Sequence, residues 1–243
     1  MVYKRLIKVH NSGLNVIYED ECLLIVDKPE GVVVNKSLTV KGTTLQESIE
    51  QLIDFTNSDS DSEYYLRKGI VHRLDKETSG VILIAKDEDS FNFLQKQFKS
   101  REVYKEYRAV VYGKIDEKVF EINAPIKRDI KNRMKYSVSD SGKDAITTFY
   151  TIKNVNKGNN MYTCLKIEPK TGRTHQIRVH LSAIHHAVVG DVLYAPKKHL
   201  ELSATDFNRM MLHAHKISIL HPKEYKIMEF TANLPDTFQI CHI

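Results

Sequence analysis

With 243 residues, 42% of them hydrophobic and 28% charged, the chain can bury a sizeable core and has the composition of an ordinary soluble protein. A net charge of +5 with a pI near 8.9 permits a polyanionic partner without requiring one. No apolar run approaches a membrane span, and the basic start Met1-Val2-Tyr3-Lys4-Arg5 is polar again by Lys8, so no secretory signal is expected. Cys22, Cys164 and Cys241 are few, odd in number and far apart, so reduced thiols in a cytoplasmic protein are expected.

Residues 1–13 read as a short polar arm and 14–243 as a single domain, because nothing in composition marks a linker. Leu14–Tyr18 and Cys22–Val26 are predicted strands joined by the acidic turn Glu19-Asp20-Glu21. Lys28-Pro29-Glu30-Gly31 breaks the second, and Val32-Val33-Val34 resumes it. Thr44-Leu45-Gln46-Glu47 has the form of a capping box, with Leu45, Ile49, Leu52 and Ile53 at helical spacing up to about Phe55. The stretch Asn57–Glu63 has nothing to bury and reads as a mobile acidic loop.

Ile70-Val71 and Val81–Ala85 are apolar runs that predict buried strands on either side of a charged loop, with Gly80 giving the backbone freedom to enter the second. Asp87 or Asp89 caps a helix carrying Phe91, Leu94 and Phe98 on one face. Glu102–Gly113 alternates as a half-buried strand. Residues 127–145 are polar and basic (Lys127, Arg128, Lys131, Arg133, Lys135), and 146–152 and 161–167 are β-rich. Thr174 is the predicted cap of a helix with Ile177, Leu181 and Ile184 inward, and 211–220 with 225–230 form a closing hairpin. Strands interspersed with few helices, without βαβ alternation, predict an α+β domain on a mainly antiparallel mixed sheet flanked by helices and loops.

The charged loop is the most informative stretch. Between two apolar runs stand His72-Arg73-Leu74-Asp75-Lys76-Glu77-Thr78-Ser79, and loops on a rigid scaffold are where chemistry is placed. A solvated connection with a surface Arg–Asp pair is the plain alternative. The string His-Arg-Leu-Asp-Lys-Glu-Thr-Ser-Gly resembles the catalytic loop of the RluA family of RNA pseudouridine synthases, which implies Asp75 as the nucleophile and Arg73 as a residue engaging RNA.

An attacking aspartate must be ionised and held in line, and a neighbouring arginine does both. The candidate is Arg178, at the edge of the buried stripe of its predicted helix, where it looks into a cleft or snorkels to the surface. Its setting, Thr171-Gly172-Arg173-Thr174-His175-Gln176-Ile177-Arg178-Val179-His180, resembles the third motif of the same family, and Gly190-Asp191-Val192-Leu193-Tyr194 continues the likeness. Tyr104–Gly113 resembles the strand that carries the family's active-site tyrosine, which falls on Tyr107; its ring can stack on uracil and its hydroxyl assist proton transfer.

The resemblance covers about residues 14–238 in the family's order. It implies the pseudouridine synthase catalytic fold, Leu212 as a pocket wall, and His72, Thr78, Arg173 and His175 as further substrate-binding positions. It departs at Asn35-Lys36, where many members carry His and Pro, at Ala195, where glycine is more usual, and in leaving only the 13-residue arm where some members carry a separate S4 domain. The implied activity isomerises uridines in ribosomal or transfer RNA, in loops or single strands, through base flipping and without a cofactor. A monomer without membrane attachment or obligate protein partner is expected. The basic 127–145 segment, Arg173 and Lys197-Lys198 can hold phosphates.

Eleven histidines raise a metal-dependent alternative, yet none stands in His-x-x-x-His or His-Glu-x-x-His spacing, so no metal is expected. Gly142-Lys143 lacks the upstream glycine of a P-loop. A non-catalytic RNA-binding module should have lost Asp75, Tyr107 or Arg178, and the chain keeps all three.

Overall fold

The computed structural model describes residues 13–37, 40–204 and 206–241, so the expected N-terminal arm lies outside the described residues except for Gly13. The described chain gathers into two compact units. One holds the residues up to Tyr104 together with Ala214–Asn233, the other Lys105–His213 with the residues from Leu234 onward.

The first unit opens with β1 (Asn15–Glu19) and β2 (Leu23–Lys28), paired antiparallel around a turn that the Asp20 carboxylate holds by accepting the N–H groups of Cys22 and Leu23. The run Val32–Val34 does not resume the strand. The carbonyls of Val33 and Val34 instead accept N–H groups of Leu45 and Gln46 and so satisfy the start of α1 (Leu45–Glu50). The expected capping box is present, Thr44 and Glu47 bonding reciprocally, but the helix stops at Glu50, short of Phe55. Ser62 caps the short α2 (Glu63–Leu66).

β3 (Ser79–Ala85) is buried at every residue and pairs antiparallel with β2, while Ile70 meets Ile84 in a single bridge rather than a strand. Asp87 caps α3 (Glu88–Ser100), which places Phe91 and Leu94 in the core. The apolar blocks of β2 and β3 thus read as central strands covered on both faces.

In the second unit β4 (Tyr104–Tyr112) is half-buried only at its start. Ala109 to Tyr112 are all buried, and the outward-facing Glu106 is buried beside Arg108, whose guanidinium lies 2.8 Å away. β5 (Val119–Asn123) follows, then the basic segment folds as a hairpin of β6 (Ile126–Arg128) and β7 (Tyr136–Val138). The long β8 (Ile146–Lys157) and β9 (Asn160–Pro169) complete a sheet in the order β4-β9-β8-β5, antiparallel throughout. Its core joins Val110, Phe149, Tyr162, Leu165, Ile167, Leu181 and Val188.

Two helices belong to this unit, α4 (Gln176–Ala183) and α5 (Lys197–Ser203). The cap of α4 is His175 in a left-handed conformation, not Thr174, and Ile184 falls past the helix end and is exposed. A final 3-10 turn, Asp236–Cys241, brings Cys241 onto β9, where it is bonded to Cys164. This corrects the expectation of three reduced thiols: 77 residues separate the pair in sequence, and only the return of the chain end across β9 makes them neighbours.

β10 (Leu212–Leu220) carries the chain back to the first unit and pairs antiparallel with β11 (Ile227–Thr231), the expected closing hairpin. The strand order there is β1-β2-β3-β10-β11. Gly80 has φ +120°, and a Cβ on it would strike the Ala214 backbone, so the strand that leaves the charged loop requires glycine at this point. None of the described helices is long and apolar enough to cross a membrane.

Candidate active site

Within the first unit, His72, Arg73, Asp75 and Thr78 share one loop whose two ends are tied down. The Val71 carbonyl accepts from the side chains of Gln95 and Arg67, and its N–H reaches the Leu83 carbonyl. His72 completes that pairing with its ring, Nε2 accepting the Leu83 N–H at 3.1 Å while the ring stacks on Phe98. An Nε2 that accepts carries no proton, so His72 holds the loop to β3 as a neutral ring.

Asp75 then opens a tight turn closed by the Thr78 N–H on the Asp75 carbonyl. The carbonyl of the next residue, Lys76, accepts both from the Gly31 N–H and from the ammonium of the fully buried Lys28, whose other donors serve Pro29 and Val32. Leu74 and Thr78 are buried, Asp75 is half-buried and Arg73 exposed. The arrangement fixes the backbone of an aspartate on both sides while its neighbour Arg73 extends into solvent.

The second unit carries Tyr107, Arg173, His175, Arg178 and Leu212. Tyr107 lies opposite Ile167 on β4 and packs at the margin of the apolar core that includes Leu212. α4 begins on a polar lattice. Gln176 Oε1 accepts from the Thr171 hydroxyl and the Arg173 N–H, and its amide donates to the Ile146 carbonyl and Thr147 Oγ1. His180, fully buried one turn on, lies between Thr147 Oγ1 and the Ala124 carbonyl, each at 3.0 Å. Arg173 points elsewhere, its Nε donating to the Asp144 carbonyl beside the basic hairpin.

Arg178 is buried, not at the rim, because α4 packs it against Asp191. Its Nε and Nη2 donate to the two carboxylate oxygens at 2.7 and 2.8 Å, a bidentate pair. Asp191, itself buried, also accepts the N–H groups of Leu193 and Tyr194. The Tyr194 ring lies 5.0 Å from the guanidinium carbon, and its hydroxyl accepts the Tyr136 N–H and bonds to His175 Nδ1. The roles of Asp191 and Tyr194 were hidden in sequence, since their spacing from Arg178 has no helical or strand period; only the Gly-Asp-x-x-Tyr string marked them.

Burial holds the His180 pKa below its ordinary value, against a smaller upward pull from the Ala124 carbonyl. A lowered folded-state pKa means that the unfolded chain takes up the proton more readily, so this stability is full above about pH 6.5 and is lost as pH falls through the folded-state pKa. Unfolding free energy from urea titrations should therefore decline between pH 7 and 5, with a shallower slope in His180→Gln.

Asp20, Cys22 and His221 form the one cluster of metal-type donors among the described residues. His221 Nε2 lies 2.8 Å from Asp20 and 3.6 Å from Cys22 Sγ. Its Nδ1 accepts the N–H groups of Lys223 and Glu224, which puts the ring proton on Nε2. A metal-bound histidine needs the reverse, a donor at the second nitrogen. Burial, with the Asp20 charge, pushes the Cys22 thiol up to about 12. The donor set fits a hydrogen-bonded clasp between two turns, not a metal centre.

Solved structures share this architecture. Human RNA Pseudouridylate Synthase Domain Containing 1 matches with a TM-score of 0.74 and 26% identity over 97% of this chain and 90% of its own. Human RNA Pseudouridylate Synthase Domain Containing 4, at 22% identity, shares the fold with a TM-score of 0.69. The fold is therefore the α+β fold of the pseudouridine synthase class. The family model described as RNA pseudouridylate synthase matches residues 22–183, a span that includes Asp75, Tyr107 and Arg178. The chain belongs to this family, and is an RNA pseudouridine synthase of the RluA type. Its relatives include the uncharacterized RNA pseudouridine synthase YlyB of Bacillus subtilis (strain 168), 36% identical over 92% of this chain and 70% of that protein. The ribosomal large subunit pseudouridine synthase D of Blochmanniella floridana is 36% identical over 96% and 73%.

Proposed function

We propose that this synthase isomerises specific uridines of ribosomal RNA, with transfer RNA as the second substrate class, and that residues 14–243 act as one catalytic domain. The observation that carries the reading is the doubly anchored turn on which Asp75 stands, in a loop whose string is that of the family's catalytic motif. The relatives named as ribosomal large subunit synthases support ribosomal RNA as the substrate.

In this reading an Asp75 oxygen attacks C1′ as the C1′–N1 bond breaks, and the bond's electron pair leaves with the uracil. The uracil turns, C5 attacks C1′ and expels the carboxylate, and the C5 proton passes to N1. Atoms and electrons balance within one nucleotide, so the step calls for no co-reactant. Arg178 holds the Asp75 carboxylate in line, its own guanidinium set by the bidentate pair with Asp191. Tyr107 stacks on the uracil and assists the proton transfer, with Leu212 as a wall. Arg73 stabilises the flipped-out nucleotide, an extrusion that costs a few kcal/mol and least in loops. His72, Thr78, Arg173 and His175 complete the substrate contacts, the first two by shaping the loop.

The enzyme acts as a monomer in the cytoplasm, although the Cys164–Cys241 bond sits against a reducing compartment. The β6–β7 hairpin supplies phosphate contacts through Lys131, Arg133 and Lys135, beside the exposed Ile130 and Met134. Incubation with ribosomal and transfer RNA from cells lacking the gene, followed by nucleoside chromatography, should show pseudouridine formed in the ribosomal fraction. No pseudouridine in either fraction would overturn the reading. Lys131→Gln and Arg133→Gln should each flatten the slope of log K against log salt by about 0.7.

A further inference from the structure

We propose that Asp191 and Tyr194 are positioning residues for catalysis, forming a cradle that sets the Arg178 guanidinium in plane and ties its orientation to the RNA-binding hairpin. The inference rests on the reading in which Arg178 serves Asp75.

A guanidinium on a flexible stem can direct a carboxylate only if its own plane is fixed. Asp191 fixes that plane, taking two N–H groups at 2.7 and 2.8 Å from a side chain itself buried to 7% exposure. The carboxylate cannot drift, because the N–H groups of Leu193 and Tyr194 hold Oδ1 at 3.0 and 3.2 Å and the Asp191 backbone bonds to Val188 and Ala195. Tyr194 then closes the cradle from the side, its ring 5.0 Å from the guanidinium carbon. Gly190 enters the turn with φ +76°, and a Cβ there would strike the Arg209 backbone, so the turn is seated against the chain just before β10.

The second half of the inference lies in the Tyr194 hydroxyl. It accepts the N–H of Tyr136, the first residue of β7, and bonds to His175 Nδ1 at the head of α4. Tyr136, His175 and Tyr194 stand edge to face, with the cations of Arg128 and Lys135 over two of the rings. One phenol oxygen thus joins the basic hairpin to the helix that carries Arg178. Asp191 acts on the chemical step, and the hydroxyl acts on how the hairpin is held for RNA.

The test is a steady-state comparison on one RNA substrate, with thermal unfolding measured alongside. Asp191→Asn should lower kcat about 100-fold with KM within a few-fold, because displacement of a catalytic group by about 1 Å is enough for that loss. Asp191→Glu keeps the buried charge compensated but moves the carboxylate by one methylene, so it should lose kcat similarly while Tm stays near that of the wild type. Tyr194→Phe keeps the ring and loses the hydroxyl, and should raise KM about tenfold with kcat nearly unchanged. Phe149→Leu, a core change in the same unit, serves as the stability-matched control and should keep kcat. Wild-type kcat in Asp191→Glu, or equal loss in Phe149→Leu, overturns the Asp191 assignment. A KM unchanged in Tyr194→Phe overturns the hairpin link. An active Arg178→Lys would instead remove the reading on which both rest.

Discussion

Asp75→Asn should abolish pseudouridine formation while leaving RNA affinity within a few-fold of the wild type. The substitution keeps the size and the main-chain bonds of the turn, which are the Thr78 N–H on the Asp75 carbonyl and the donors to the Lys76 carbonyl. What disappears is the anionic oxygen needed to form a bond to C1′. RNA affinity comes mainly from phosphate contacts, to which a neutral amide is if anything kinder than a carboxylate. Gel-shift titration of the same RNA used for turnover separates the two quantities. Retained turnover in Asp75→Asn would sink the nucleophile assignment, whereas loss of both turnover and binding would point to a collapsed loop.

Substitution of Arg178 should be the second severe change, and it should act on stability as well as on rate. Arg178→Ala leaves the buried Asp191 carboxylate with only its two backbone donors, and breaking a buried pair from one side costs about 3–5 kcal/mol. Arg178→Lys keeps a charge but presents a single ammonium where a planar fork spans two oxygens at 2.7 and 2.8 Å. It should fold with a smaller stability loss yet drop kcat by about 100-fold or more. Urea unfolding and single-turnover rates on both variants check this; a fast Arg178→Lys enzyme would show that position within a fork does not matter.

The contrast between Asp75 and Arg178 shows how much of the site could be read in advance. The loop at Asp75 was legible because its apolar flanks and Gly80 are local signals, and φ +120° at Gly80 is the conformation that the reading required. Arg178, expected at a rim, is instead buried against Asp191. A helix pattern gives the angle of a side chain around its own axis and says nothing of Asp191, thirteen residues on and beyond the helix end. Lys28 is a similar case: a lysine before proline reads as a turn residue, and only the fold reveals that its ammonium is buried against the carbonyl after Asp75. The family comparison adds what periodicity could not, the class of reaction.

By itself the sequence determined the α+β class, β1 through β3, the capping box of α1, a cap for α3 at Asp87 or Asp89, the closing hairpin, and the loop that bears Asp75. These depend on neighbours a few residues apart, through periodic burial, caps and turns. The tertiary structure alone decided that Val33 and Val34 cap a helix instead of forming a strand, that Glu106 is buried, that Cys164 meets Cys241, and that Asp191 and Tyr194 enclose Arg178. Each of these joins groups distant in the chain, whose pairing exists only once strands and helices have packed.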